Sequence, residues 1–145
     1  MKVSYLLLII LMTASTSSQA YATSKKSLPA CPDSPNCVSS QTQDTDHYIA
    51  PFEIIGDPHK AWSALRNAVI GKGRMVIVHE TPDSLAAEAT SLVFRFIDDI
   101  DAILDIDARI IHIRSASRIG YSDLGVNRRR MEILRAELQK ARLIK

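Results

Sequence analysis

The order of predicted elements indicates an α+β fold of two layers, in which a curled antiparallel sheet carries an N-terminal and a C-terminal helix on one face. Helix-start signals occur twice, near residue 57 and near residue 123. Between them lie segments in which apolar and polar residues alternate, as in half-buried strands. The roughly 120 residues that follow an N-terminal leader are enough for one domain with its own core and too few for two.

The leader, residues 1–22, has the layout of a secretory signal peptide. Lys2 supplies a positive charge, an apolar run extends from Leu6 to Met12, and small residues end the segment at Ala22. A membrane-spanning helix needs roughly twenty apolar residues, and this run is much shorter. We therefore expect an exported protein, located in the periplasm or outside the cell, whose mature chain has no transmembrane span.

Residues 23–47 form an arm rich in serine, threonine and proline that contains both cysteines of the chain, Cys31 and Cys37. In an exported protein, two nearby cysteines first indicate a disulfide, which would restrain this arm. A zinc site is the alternative, but His47 and His59 are not at a recognised ligand spacing. A reactive thiol at Cys37 is a third reading. The sequence thus predicts a disulfide, with no metal site and no cofactor.

The predicted α+β domain spans residues 48–145 and opens with a strand over Tyr48–Ile55. Asp57 followed by Pro58 is a strong helix start, because an N-cap residue precedes a proline in the first turn. Glycines at 71 and 73 are expected to end this helix. Apolar residues recur at helical spacing at Trp62, Leu65 and Val69.

Two hairpins are predicted after this helix. The first joins strands over Arg74–Glu80 and Leu85–Phe96, and the second turns at Asp105–Arg109 before a strand in which isoleucines alternate with polar residues. A final helix is expected to begin at Leu124 and run almost to Lys145. Its predicted apolar stripe is Leu124, Met131, Leu134, Leu138 and Ala141, and the polar Asn127 occupies a position where the stripe calls for an apolar residue.

Aspartates are crowded near the second hairpin. Asp99 and Asp101 are two residues apart, so on a strand they share a face and are candidates for a cation site or an acid/base pair. Pairing of the adjacent Asp98 and Asp99 with Arg95 or Arg114 is the structural alternative. The last two aspartates, Asp105 and Asp107, are expected to solvate the turn.

The segment from Arg114 to Arg128 is the best candidate for a ligand site. A strand leads through small residues and a glycine into a helix start, whose free backbone N–H groups suit a phosphate or carboxylate. The alternative is a capped helix with salt-bridged arginines. The candidate ligand-binding residues are Arg114, Ser117, Arg118, Tyr121, Asp123, Asn127 and Arg128.

Two segments together resemble a known family. CPDSPNCVSSQ begins at Cys31, and the second segment runs from Phe94 to Arg135 as FRFIDDIDAILDIDARIIHIRSASRIGYSDLGVNRRRMEILR. These segments resemble the bacterial and plastid family catalogued as domain of unknown function 1499, and the resemblance covers nearly all of the chain after the leader. It implies no particular reaction, so a function has to be inferred from the residues themselves.

Charge and motifs exclude several classes of function. The chain has 18 lysines and arginines against 16 aspartates and glutamates. A protein that grips nucleic acid usually carries a marked basic excess, so nucleic acid is not expected as a partner. No nucleophile elbow, phosphate-binding glycine loop or dinucleotide fingerprint is present.

The leading hypothesis is an exported, non-catalytic envelope module that binds an anionic small molecule, a lipid headgroup or a partner protein. A rival is a hydrolase or isomerase-like enzyme with Asp98 or Asp99 as general base and Arg114 or Arg118 stabilising negative charge. His112 is a further weak catalytic candidate, although a regular strand would point it away from Ser115. An envelope assembly factor with an exposed apolar patch is the third hypothesis.

Overall fold

The computed structural model describes residues 27–145, and the predicted signal peptide at residues 1–22 lies outside them. The described chain forms six strands and two helices, which confirms the predicted α+β fold class. In chain order they are β1 (Cys37–Ser39), β2 (Phe52–Glu53), α1 (Pro58–Ile70), β3 (Met75–Glu80), β4 (Ser84–Thr90), β5 (Ile97–Asp105), β6 (Ile110–Ser117) and α2 (Val126–Lys140).

All strands pair in antiparallel fashion in one open sheet, with the spatial order β1-β6-β5-β4-β3. The short β2 also pairs with β6. Strand β1 comes from the predicted arm, and its Val38 is part of the core. The first strand therefore begins earlier than the predicted Tyr48. Of the predicted strand over Tyr48–Ile55, only Phe52–Glu53 forms a strand, β2.

The core lies between one face of the sheet and the two helices, and we call this face the helix face. Alternate residues of each central strand point into it, because successive side chains of a strand lie on opposite faces. Its main members are Leu85, Ala87, Ala89, Ile100, Ala102, Leu104, Ile111 and Ile113 from the strands, and Trp62, Leu65, Val69, Met131, Leu134 and Leu138 from the helices. Burial of each large apolar side chain here contributes roughly 1.5–3 kcal/mol.

The first helix begins and ends where local signals predict. The Asp57 carboxylate accepts the His59 N–H at 2.8 Å, and Pro58 occupies the first helical position. At the other end, the Gly71 N–H donates to the Asn67 carbonyl oxygen at 2.9 Å. Both caps depend only on residues within one turn, which explains the success of the prediction.

The second helix begins two residues later than predicted. Leu124 has a φ of 53° and is 86 % exposed, so it is neither helical nor part of the apolar stripe. Asp123 caps the helix from outside it, because its carboxylate accepts the N–H groups of Gly125 and Asn127 at 3.0 and 2.7 Å. The helix ends at Lys140, which leaves Ala141 outside the stripe as well.

The predicted strand over Leu85–Phe96 is wrong beyond Thr90. Residues 91–96 form a loop, which is closed by a bond from the Ser91 N–H to the Phe96 carbonyl oxygen and one from the Phe96 N–H to Ser91 Oγ, both 2.8 Å. The alternation of apolar residues here is therefore not a strand pattern, and these side chains face solvent. The predicted turn at 105–109 is confirmed, since Asp105 Oδ1 accepts the Ala108 N–H at 2.8 Å.

The predicted disulfide is present between Cys31 and Cys37, whose Cα atoms lie 5.7 Å apart. It closes a short loop, so the chain-entropy model assigns it about 2 kcal/mol. The adjacent Asn36 side chain donates to the Gly120 carbonyl oxygen at 2.6 Å. The disulfide loop is thereby tied to the connection between β6 and α2.

Candidate functional site

The residues singled out from the sequence lie on both faces of the sheet. Asp98 and Ser117 are cross-strand neighbours on the helix face, where Asn127 also lies. Asp99 and Arg114 alternate with them and therefore belong to the opposite face. The three arginines among the candidate ligand-binding residues do not converge, because Arg114 and Arg118 pair with Asp101 and Asp99, whereas Arg128 donates to the Asp46 carbonyl oxygen at 3.2 Å.

The helix face carries a buried polar cluster made of Asp98, Ser115, Ser117, Asn127 and Arg130. Arg130 Nη2 lies 2.6 Å from Asp98 Oδ2, and both side chains are at least nine-tenths buried. Arg130 Nη1 donates to Asn127 Oδ1 at 2.6 Å and to Ser115 Oγ at 2.9 Å. The cluster thus joins the first turns of α2 to β5 and β6.

Asn127 is completely buried and fully hydrogen-bonded. Its amide nitrogen donates to the Asn36 carbonyl oxygen at 3.0 Å and to Ser117 Oγ at 2.9 Å, and Oδ1 also accepts from Ser115 Oγ at 2.6 Å. A polar residue interrupts the apolar stripe at this position because it hydrogen-bonds a buried backbone group, the Asn36 carbonyl oxygen. The cluster therefore positions α2 and leaves Asn127 no free group for a ligand.

Sequence reasoning found three members of this cluster and missed Arg130 and Ser115. Helix and strand periodicity could have identified both residues. Arg130 lies three residues after Asn127, so both occupy one side of the helix. Ser115 and Ser117 are two apart on a strand, so they share a face.

The opposite face carries a row of ion pairs. Arg118 bridges Asp99, at 2.7 Å, and Glu88, and these hydrogen bonds raise the pKa of its guanidinium. Arg114 Nη1 donates to Asp101 Oδ2 at 2.9 Å. As predicted, Asp99 and Asp101 share a face, but each is held by an arginine from the next strand or its end.

Burial is the largest influence on the pKa of Asp101. Loss of water raises the pKa of this carboxyl although the Arg114 guanidinium acts in the opposite direction. Arg114 also donates to the Ala30 carbonyl oxygen at 3.3 Å, which brings the arm against this face. His112 is on the same face, with Nδ1 3.3 Å from Ser40 Oγ, and as expected it points away from Ser115.

These placements bear directly on the enzyme hypothesis. Asp98 is separated by the sheet from Arg114 and Arg118, and it is bonded to Arg130 instead. Asp99 is on the same face as Arg118 but is bonded to it, so it is occupied in an ion pair. Neither aspartate lines the two cavities described next.

A basic groove of about 350 Å³ opens where β3, β4 and α2 meet. It is lined by apolar side chains from all three elements and by four cationic ones. The apolar lining is Met75, Ala89, Leu92, Val126 and Ile133, and the cationic lining is Lys72, Arg74, Arg129 and Arg130. Two polar residues, Thr90 and Ser91, complete it.

The basic groove has uncompensated positive charge. Lys72 pairs with Glu137, and Arg130 pairs with Asp98. Arg74 and Arg129 form no ion pair within residues 27–145. No acidic residue lines the groove in this part of the chain, so an anion would meet two available guanidinium groups.

A larger cavity, about 410 Å³, lies between α1 and the edge strand β3. Its charges are balanced, because Arg66 forms two hydrogen bonds to Glu80, at 2.7 and 3.0 Å. This ion pair raises the pKa of Arg66 and lowers that of Glu80. The larger cavity therefore has no net charge that would select a ligand. The basic groove is the better candidate for a binding site.

Two further features of residues 27–145 concern metals and membranes. No group of three or more histidine, cysteine, aspartate or glutamate side chains is arranged to hold a metal ion there. Neither helix of this region is long and apolar enough to cross a bilayer.

Comparisons with known proteins agree with the resemblance noted in the sequence. Neither a curated protein nor a solved structure matches the chain significantly. One family model does match, over residues 27–138, which include every strand and nearly all of α2. The chain therefore belongs to the family described as protein of unknown function (DUF1499).

Proposed function

We propose that the protein is an exported, non-catalytic envelope module whose basic groove binds the anionic group of a small molecule or lipid headgroup. The observation that carries this proposal is the combination of an apolar floor with Arg74 and Arg129, two cations without an acidic partner in the described chain. The groove lies beside the predicted segment, because Arg129 directly follows Arg128 in the first turn of α2.

The lining favours an amphiphilic anion. A volume of about 350 Å³ is at the lower end of the range for small-molecule sites. Guanidinium groups bind carboxylates and phosphates through paired, charge-assisted hydrogen bonds. The side chains of Met75, Leu92 and Ile133 offer an apolar surface to the rest of such a molecule. A ligand with one anionic head and a short apolar tail satisfies both parts.

Binding is favoured over catalysis by the kinds of side chain in the groove. Its lining contains no histidine, carboxylate or cysteine that could serve as a general base or activate the Thr90 and Ser91 hydroxyls, and the Lys72 ammonium is paired with Glu137. The hydroxyl of Ser91 is already an acceptor for the Phe96 N–H at 2.8 Å. The groove therefore has the groups needed to hold an anion and lacks an activated group to transform it.

The test uses octyl phosphate as the anionic probe and octyl glucoside as the uncharged probe of equal chain length. Amide chemical shifts of the mature protein are followed during each titration. We expect octyl phosphate to shift signals at residues 72–75, 89–92 and 126–133, and to bind about tenfold more tightly than octyl glucoside.

A charge-matched pair of variants locates the site. Arg74→Gln with Arg129→Gln removes two positive charges from the groove, whereas Lys60→Gln with Lys140→Gln removes two from exposed helical positions elsewhere. The groove variant is expected to lose about tenfold in affinity for octyl phosphate, and the control variant to keep it. Equal affinities in the two variants, or no preference for the anionic probe, would refute the proposal.

A further inference from the structure

We propose that an apolar tip at one end of the sheet docks the protein onto the surface of an anionic lipid bilayer. The tip consists of six exposed side chains from two loops, namely Leu92, Val93, Phe94, Ile119, Tyr121 and Leu124. This inference goes beyond the binding of an anionic group in the basic groove, because it concerns docking onto a bilayer surface by a neighbouring patch that shares only Leu92 with the groove lining.

The two loops leave the sheet at the same end. One is residues 91–96, between β4 and β5, and the other is residues 118–125, between β6 and α2. Asp98 near the start of β5 pairs with Ser117 at the end of β6, and the Arg118 N–H donates to the Ile97 carbonyl oxygen at 3.2 Å. Because β5 and β6 are neighbours, both loops project from the same end of the sheet.

The apolar side chains of the tip are unusually exposed. Val93 and Phe94 are 75 % and 73 % exposed, and Leu124 is 86 % exposed. Single exposed apolar residues are ordinary on protein surfaces, but a contiguous group marks an interaction site. Here the group comes from two loops that are distant in sequence and leave neighbouring strand ends.

Hydrogen bonds and ring stacking give the first loop a defined conformation, in which its apolar side chains point into solvent. Its ends are joined by the two hydrogen bonds between Ser91 and Phe96. Within it, the rings of Phe94 and Phe96 stack with centroids 5.4 Å apart, and Arg95 has a φ of 54°. A left-handed conformation at a non-glycine residue is unfavourable by itself. The exposure of this loop is thus a property of its folded conformation.

Unpaired positive charge lies beside the tip, and the one carboxylate of its second loop, Asp123, accepts the N–H groups of Gly125 and Asn127 at the start of α2. Arg95 lies within the first loop and is exposed, and the adjacent groove adds Arg74 and Arg129. None of the three is ion-paired within the described chain, whereas Asp99 and Glu88 nearby are neutralised by Arg118. Arginines beside protruding aliphatic and aromatic side chains complement a bilayer with anionic headgroups over an apolar interior.

Charge also argues against a second copy of this chain as the occupant. In a symmetric dimer the same patch meets itself, which would bring Arg95 and its neighbouring arginines from both copies together. Like charges at a contact oppose such a dimer. An anionic lipid surface neutralises the same arginines, so the observed charges favour the bilayer.

The test is sedimentation of the mature protein with vesicles of phosphatidylcholine, alone or with roughly 30 % phosphatidylglycerol. Mass spectrometry first verifies that the leader is absent, because its apolar run would itself bind lipid. We expect the mixed vesicles to be bound about tenfold more tightly than phosphatidylcholine alone, and the preference to weaken at high salt. No binding to the mixed vesicles would overturn the proposal.

Two matched variants locate the contact. Val93→Ser with Phe94→Ser removes apolar surface from the tip, and Val76→Ser with Val78→Ser removes it from the edge strand β3, where these valines are 64 % and 55 % exposed. The tip variant is expected to bind mixed vesicles about tenfold more weakly than the wild type, with the β3 variant unchanged. Equal binding by the two variants would overturn the assignment.

Two further measurements separate this inference from the alternatives. The first is the oligomeric state in lipid-free solution. If the wild type forms dimers and the tip variant does not, the partner of the tip is a second copy of this chain and not a bilayer. The second is the affinity of the tip variant for octyl phosphate. We expect this affinity to be unchanged, because neither Val93 nor Phe94 lines the groove. If the wild type binds vesicles but not octyl phosphate, the docking proposal stands and the groove proposal fails.

Discussion

Replacing Arg130 by methionine tests whether the buried polar cluster holds α2 against the sheet. The substitution removes the ion pair with Asp98, at 2.6 Å, and the donor that Asn127 and Ser115 share. Asp98 then remains a buried carboxylate without its counter-charge. Breaking a buried pair in this way costs about 3–5 kcal/mol, a large part of the stability of a domain of this size.

The assay is urea unfolding followed by circular dichroism, with calorimetry as a second readout. A loss of this size is expected to lower the melting temperature by roughly 10–20 °C. Arg118→Met is the matched control, because its partners Asp99 and Glu88 are on the exposed opposite face and its pair is screened by water. The control is expected to lose much less stability than Arg130→Met.

A double-mutant cycle identifies the mechanism. Adding Asp98→Asn to Arg130→Met removes the uncompensated charge, so the double variant is expected to be more stable than Arg130→Met alone by about 1–2 kcal/mol. Equal losses for Arg130→Met and Arg118→Met, or additive effects in the cycle, would refute the role assigned to the cluster.

Two further predictions concern the arm. Replacing Cys31 and Cys37 together by serine is expected to lower the free energy of unfolding by about 2 kcal/mol without changing the fold, as measured by urea unfolding; a complete loss of structure would contradict the short-loop estimate. The carbonyl oxygen of Ser34 and the carboxylate of Asp44 raise the pKa of His47, so this residue stabilises the fold fully below about pH 6.5 and progressively less as the pH rises through its folded pKa. The melting temperature of the wild type minus that of His47→Gln should therefore be larger at about pH 5.5 than at about pH 8.5, and an equal difference at both would contradict it.

Elements governed by neighbouring residues were predicted correctly. The start of α1 needs only Asp57 and Pro58, and the second hairpin turn needs only the Asp105 side chain and the N–H three residues later. The disulfide also follows from a short spacing. In each case the interacting groups are within about one or two turns of chain, so sequence order already brings them together.

Errors arose where a periodic pattern had two physical readings. Alternation through Leu92, Phe94 and Phe96 is equally compatible with a strand and with an exposed loop. The pairing of β4 with β5 determines that these residues form a loop, because it aligns Thr90 with Ile97 and leaves the residues between them unpaired. Leu124 likewise fits the apolar spacing of α2 but precedes its first turn, because the Asp123 carboxylate accepts the N–H groups of Gly125 and Asn127.

For the candidate site, sequence and tertiary structure decided different things. Strand periodicity alone determined that Asp99 and Asp101 share a face, and helix periodicity that Asn127 interrupts an apolar stripe. Only the tertiary structure decided that Arg130 meets Asp98, that Arg118 meets Asp99, and that the loops at residues 91–96 and 118–125 leave the same end of the sheet. The reason is that periodicity specifies the direction of a side chain within its own element, whereas the partner it meets depends on how distant elements pack and in which register.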